Sequence, residues 1–225
     1  MIVLRLSGLK LGYDGKTVID GASLAVESGD FVCVVGANGS GKSTLIKGIL
    51  GLIKPLAGEV IYGEGVSQTT IGYLPQEARL EANFPATVKE VVMSGTLGRM
   101  GLKPFYGKDE HDLARQSMKT LKIEGLADQS FVDLSGGQKQ KVLLARSLAA
   151  TSKILILDEP SNNLDQTSRK EFYKILKRLN RDSGLTILMI THDLDAEDLI
   201  GNKVAAIKNG RVSMYETKAY LESYR

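Results

Sequence analysis

The chain has 225 residues, 43% of them hydrophobic and 24% charged, the balance of an ordinary globular protein with enough length to bury a substantial core. Its 29 basic and 26 acidic residues are spread along the sequence for a net charge of +3, with no basic tail, which argues against a dedicated nucleic-acid binder. No apolar run approaches the roughly eighteen residues of a membrane span, and two histidines with one cysteine leave almost no material for a His- or Cys-built metal site.

The opening "MIVLRLSGLKLGYDGK" lacks a basic region followed by an apolar one, so no secretory signal peptide is expected and the chain is placed where ATP and reduced thiols are. From there to Asp30 the partial alternation, broken by glycine and aspartate turns, predicts a small antiparallel sheet. Three apolar runs follow: Phe31–Val35, Ile154–Leu157 and Leu185–Ile190. Each is flat in hydrophobicity, as in strands of a parallel sheet covered on both faces. Cys33, inside the first, reads as a buried small hydrophobe rather than a reactive thiol.

Each run neighbours a helical pattern. "KSTLIKGILGL" follows the first, and after the second Phe172, Ile175, Leu176 and Leu179 form one apolar stripe at i, i+3, i+4, i+7. From about Glu77 to Asp133 the strand signals stop, and polar helical sequence such as "DEHDLARQSMKTLKI" suggests an inserted helical lobe; His111 within it reads as a solvated surface residue. Near the end, Asn209-Gly210 between two strands predicts a hairpin with a tight primed turn. The expected fold is α/β: one domain over 1–225, a parallel-sheet core with an N-terminal antiparallel β subdomain and a helical subdomain at 77–133.

Chemistry-bearing residues gather at the predicted strand ends. "GANGSGKS", Gly36 to Ser43, satisfies G-x-x-x-x-G-K-[ST] directly after an apolar strand and at a helix start, which is the context a phosphate loop needs. Glycines let backbone N–H groups turn inward and the helix N-terminus adds partial positive charge. Lys42 can reach β- and γ-phosphates, and the Ser43 hydroxyl can ligate Mg²⁺. "LILDEP" places Asp158 and Glu159 at the carboxyl edge of the second strand, where ligands of open α/β sheets bind. Asp158 can hold Mg²⁺ through water while Glu159 polarises the attacking water. "MITHDLD" brings His192 to the same edge, able to sense or orient a γ-phosphate.

Together these stretches give the chain a resemblance to the ATP-binding-cassette (ABC) family, P-loop NTPases with this α/β core, over nearly its whole length. "GANGSGKST" matches the family's phosphate loop, "YLPQ" its magnesium- and partner-sensing glutamine (Gln76), and "LSGGQ" (Leu134–Gln138) its signature. "ILILDEP" matches the magnesium strand, "SNNLD" (Ser161–Asp165) the loop after it, His192 the switch histidine and Tyr13 the aromatic on which adenine stacks. The resemblance implies an ATP and Mg²⁺ site built from Tyr13, Gly36, Asn38, Gly39, Ser40, Gly41, Lys42, Ser43, Thr44, Gln76 and Asp165. Ser135, Gly136, Gly137 and Gln138 would complete it from a second chain, with Ser43, Gln76 and Asp158 holding the metal and Lys42, Glu159 and His192 acting in catalysis.

The same resemblance implies that two cassettes, an identical pair, face head to tail. Ser135 and Gly137 of one would then close on the γ-phosphate held by Gly39, Lys42 and Ser43 of the other, and a lone chain should hydrolyse ATP slowly. Two departures stand out. Asn162 and Asn163 occupy positions where many transport cassettes carry small or apolar residues, and Lys141 stands where the family usually has arginine, keeping the charge but not the bidentate geometry.

The phrase "FPATVKEVV" is similar to that of cassettes importing zinc, manganese or iron. It implies a polytopic membrane permease as partner, an extracytoplasmic substrate-binding protein beyond it, and a place at the cytoplasmic face of the cell membrane. Met100, Leu102, Phe105 and Tyr106 read either as a groove wall receiving that partner or as core of the helical lobe. A soluble cassette acting on nucleic acid, ribosomes or cluster assembly is the second reading, supported by "SNNLD" and the mild basic excess. No nucleic-acid partner is expected under the first.

Overall fold

The structure, a computed structural model, describes residues 1–76, 85–101, 103–151, 153–162, 164–191 and 200–223. Strands β1 (Ile2–Tyr13), β2 (Lys16–Glu27), β3 (Phe31–Gly36), β4 (Ala57–Tyr62), β5 (Gly72–Leu74), β6 (Ile154–Asp158), β7 (Thr186–Ile190), β8 (Lys203–Lys208) and β9 (Arg211–Glu216) form two sheets. One is antiparallel in the order β2-β1-β4. The other runs β5-β6-β7-β3-β8-β9, parallel except for the β8–β9 hairpin. Helices are α1 (Lys42–Ile49), α2 (Val88–Met93), α3 (Leu97–Met100), α4 (Lys108–Thr120), α5 (Gly136–Ala150), α6 (Gln166–Ser183) and α7 (Thr217–Glu222).

The flat apolar strands are flat because both faces are covered. Side chains alternate across a strand, and here both alternating sets are buried. Cys33, Val35, Leu155, Leu157, Ile187 and Met189 join one core with side chains of α2, α4, α5 and α6. Val32, Val34, Ile154, Ile156, Leu188 and Ile190 join a second core with α1 and the antiparallel sheet. Each fully buried aliphatic side chain contributes about 1.5–3 kcal/mol. Burial also pushes the Cys33 thiol up to about 11, leaving it a protonated space-filler.

Local signals are met where geometry requires them. Asn209 and Gly210 both have positive φ, 51° and 74°, the primed-turn geometry whose twist matches the strands it joins. The stripe of Phe172, Ile175, Leu176 and Leu179 is the buried face of α6. Asp165 starts that helix, its Oδ1 accepting from the N–H groups of Thr167 and Ser168 at 3.0 Å, and Gly184 ends it in the left-handed conformation.

Between residues 85 and 133 the described chain is helices and short turns, with one isolated bridge between Thr87 and Ser130. Met100 is buried there, whereas Phe105 is 83% exposed and Tyr106 partly so, so the described members of the apolar set are divided between core and surface. His111 is exposed. Leu102, Asn163 and His192, and residues 77–84 with "FPATV" up to its phenylalanine, lie outside the described residues.

Candidate nucleotide site

Parallel registry brings distant segments to one edge. Leu74 pairs with Leu157, so Gln76 and Glu159, each two residues further on, emerge side by side: Gln76 Nε2 donates to Glu159 Oε2 at 2.7 Å. Asp158 pairs with Ile190, and Ile190 with Val34, which sets the end of β6 and the loop after Gly36 at the same level. Lys42, Ser43, Gln76 and Glu159 line one cleft of about 550 Å³, together with Asn38, Gly39, Gly41 and Thr44.

The loop Gly36–Gly41 folds as it does because of what its glycines avoid. Gly41 has φ 106°, and a Cβ there would lie 2.8 Å from Ile19 Cδ1 and 2.9 Å from Val18 Cγ1. At Gly36 a Cβ would meet the Ile207 carbonyl oxygen at 2.7 Å. With Gly41 as its left-handed N-terminal residue, α1 opens with N–H groups that have no partner within the helix, a partial positive charge at the cleft. Lys42 is buried, and its Nζ donates to the carbonyl oxygens of Gly36 (2.9 Å) and Ala37 (3.1 Å). Burial pulls the ammonium's pKa down, while the charges of Glu159 and Asp158 oppose that shift.

Asp158 and Glu159 are both buried at the end of β6. The Tyr73 phenol hydrogen-bonds Asp158; burial first, then that carboxylate, pushes its pKa up to about 12. Glu159 takes φ 49°, a left-handed conformation that costs a non-glycine residue about 1–3 kcal/mol and clusters at functional sites. Its N–H donates to the Ile190 carbonyl at 3.2 Å, and its Oε2 also accepts from Asn162 Nδ2.

The second glycine-rich turn stands apart from this cleft. Ser135 caps α5 reciprocally: its Oγ accepts from Gln138 N at 3.3 Å, and Gln138 Oε1 accepts from Ser135 N at 2.9 Å. Ser135, Gly137 and Gln138 line a separate cavity of about 200 Å³ with Ser168 and Phe172, while Gly136 opens the helix. Lys141, on the same helix, pairs with Glu171 of α6 at 2.8 Å.

Tyr13 ends β1 exposed and does not line the cleft; Val18, which the sequence did not single out, does. Ser40 sits inside the loop, and Asp165 is taken up by the α6 cap, where Ser168 Oγ donates to Oδ2 at 2.6 Å and holds its carboxyl below the usual range. Sequence reasoning also passed over Tyr73 and Gln140, whose Nε2 donates to the Pro160 carbonyl at 2.6 Å. Only the "YLPQ" and "GGQKQ" contexts hinted at either.

A lysine rooted at a helix N-terminus, facing strand-end carboxylates across a glycine-cradled cleft, is the layout of a P-loop nucleoside triphosphatase. The chain belongs to the ABC transporter family: the family's profile, described as ABC transporter, matches residues 19–162. It is an ABC ATPase, and it is similar to chains described as ATP-binding proteins and ATP-binding cassettes. A "Probable metal transport system ATP-binding protein" of Chlamydia muridarum is 37% identical over 225 residues, covering 99% of this chain and 94% of the relative. The "High-affinity zinc uptake system ATP-binding protein ZnuC" of Bacillus subtilis is 36% identical, covering 93% of each. Among solved structures, a dimeric post-hydrolysis state of the ATP-binding cassette MJ0796 bound to ADP and Pi superposes with a TM-score of 0.75 at 27% identity, covering 95% of this chain and 98% of that one.

Proposed function

We propose that the chain is the ATP-hydrolysing motor of an importer for a divalent metal or metal chelate. The observation that carries the hydrolytic part is the convergence of Lys42 and Glu159 on one cleft at the carboxyl edge of the parallel sheet. Lys42 offers its ammonium to the phosphates in place of the loop carbonyls it now holds, and the N-terminus of α1 adds its dipole. Glu159 takes the proton of the attacking water, a task worth roughly 10²–10⁴ in rate, and His192 steadies the γ-phosphate. Val18 lines the cleft beside the loop, where the base would rest, and Tyr13 is proposed as its stacking partner from the family resemblance.

The donor set suits Mg²⁺: the Ser43 hydroxyl, the Asp158 carboxylate and the Gln76 amide oxygen are hard oxygen ligands, and Asp158 is already oriented by Tyr73. When bound, the ion would neutralise charge on the β- and γ-phosphates.

The reading extends to assembly. Ser135 and Gly137 belong to a cavity separate from the Lys42 cleft, which is consistent with their acting on ATP held by a second copy, and a dimeric relative supports it. The helical part of the chain, described at 85–101 and 103–133, would face a polytopic permease at the cytoplasmic face of the membrane, with a substrate-binding protein on the far side. Among the described residues no helix is long and apolar enough to cross a membrane. The metal is cargo, inferred from relatives described as metal and zinc transport proteins.

The test is to purify the chain with whatever membrane protein accompanies it and measure ATP-dependent uptake of zinc and manganese into vesicles. Uptake of either, lost with Lys42→Ala, supports the reading. ATP hydrolysis without a membrane partner, in material that sediments with ribosomes, would favour the soluble cassette instead.

A further inference from the structure

Asn162 lies in the loop that follows β6, and the functional reading leaves it without a task. Its side chain donates through Nδ2 to Oε2 of Glu159, the same oxygen that accepts the 2.7 Å bond from Gln76 Nε2. Two amide donors from different segments thus converge on one atom of one carboxylate. They arrive from opposite sides in sequence, one from the loop after β5 and one from the loop after β6.

Other described residues of that loop are committed elsewhere. The Pro160 carbonyl is held by Gln140, the Ser161 hydroxyl meets the Tyr173 hydroxyl at 3.0 Å, and Asp165 caps α6. These contacts fix the loop's backbone, as does the strand bond from Glu159 N to the Ile190 carbonyl. They do not fix the glutamate's side-chain torsions. A carboxylate that must take a proton from water works from a narrow range of positions, and an ångström of drift can cost about 10² in rate. Donors on Oε2 supply that restraint, and an amide does so without offering a competing base.

We propose that Asn162 is a positioning residue for hydrolysis: with Gln76, it aims the Glu159 carboxylate while leaving ATP binding to the phosphate loop. The inference rests on the reading of Glu159 as the hydrolytic carboxylate. Aspartate is the discriminating substitution. It matches asparagine in shape and in turn-forming tendency but, when ionised, cannot donate and repels its neighbour.

The test compares Glu159→Gln, Asn162→Ala and Asn162→Asp in the purified full-length chain, by steady-state hydrolysis across ATP concentrations, ATP titration and thermal melting. The expected result is kcat lowered about tenfold in Asn162→Ala and at least as far in Asn162→Asp, with KM, ATP affinity and melting temperature near wild type. Asn162→Asp hydrolysing within about twofold of wild type would overturn the proposal, since the turn alone would then suffice. So would losses in kcat that track losses of ATP affinity or of melting temperature. If Glu159→Gln turns over normally, the base assignment itself has failed. If it is inactive while both Asn162 variants hydrolyse normally, only the role of Asn162 has.

Discussion

The side-chain amide of Gln140 donates a 2.6 Å hydrogen bond to the carbonyl oxygen of Pro160, joining the helix that starts at the second glycine turn to the loop that starts at Glu159. Ser135 at the head of that helix and Glu159 at the head of that loop are therefore parts of one hydrogen-bonded unit. Gln140→Leu removes the donor and leaves a buried carbonyl unsatisfied, at a cost of about 1–3 kcal/mol. We expect the urea midpoint to fall accordingly and kcat to fall several-fold beyond what the lost folded fraction explains. A kcat loss matching only the unfolded fraction would reduce the bond to a fold stabiliser.

Glu159→Gln keeps the shape of the strand-end side chain but cannot accept a proton from water. ATP should bind as in wild type, and hydrolysis should drop by roughly 10²–10⁴. Single-turnover hydrolysis beside an ATP titration separates the two effects. Turnover at the wild-type rate would move the base to another residue.

Lys42 is buried at the mouth of α1 with its ammonium on two loop carbonyls, and burial has already lowered its pKa against the pull of Glu159 and Asp158. If Lys42 is the proposed phosphate contact, Lys42→Ala removes one charge-assisted bond worth about 1.5–3 kcal/mol, and ATP affinity should weaken about 10- to 100-fold by calorimetry. Lys42→Arg should not restore it, because a planar guanidinium does not fit a socket shaped for a compact ammonium. Unchanged affinity in the alanine variant would remove the lysine from the phosphate site.

How far the site could be read beforehand depends on sequence distance. The phosphate loop, the flat strands and the Asn209-Gly210 turn were legible because each is a local signal a few residues long. The bond between Gln76 and Glu159 was not, because it depends on the Leu74–Leu157 registry across 83 residues. Nor was the division of "MGLKPFYG", where Met100 turns inward and Phe105 outward on the same short stretch. Tyr13 follows from the family resemblance, and only the fold shows that Val18, beyond the turn, lines the cleft. The roles of Gln140 and Tyr73 were not legible for a simpler reason: their partners are a backbone carbonyl and a carboxylate supplied by other strands and loops.

The Asp30–Lys203 pair sets a pH limit on the fold. Lys203 Nζ lies 2.9 Å from Asp30 Oδ2 and 3.6 Å from Glu27 Oε2, tying the end of β2 to the start of β8. The hydrogen bond to Asp30 raises the ammonium's pKa above its ordinary 10.5, outweighing burial, which lowers it. A proton held more tightly in the folded chain stabilises it fully below the unfolded value and ceases to do so as pH rises through the folded one. The urea midpoint of wild type should therefore lose this contribution above about pH 10.5, and Lys203→Met should be less stable than wild type at neutral pH by a margin that shrinks over the same alkaline range. A margin independent of pH would mean that Lys203 acts through its aliphatic stem alone.

Ser135 separates capping from assembly. Its hydroxyl already accepts from Gln138 N, so alanine or arginine there loses an N-cap worth about 1 kcal/mol, whatever the dimer does. Ser135→Ala therefore measures the cap. Ser135→Arg adds bulk and charge at the rim of the cavity shared with Gly137 and Ser168. In a Glu159→Gln background, where ATP is held rather than consumed, both variants should bind ATP as monomers. The alanine chain should still shift to a dimer on sizing with ATP, and the arginine chain should not. If the arginine chain also dimerises, the second glycine turn does not close on a partner's nucleotide and its conspicuous sequence serves only to start a helix.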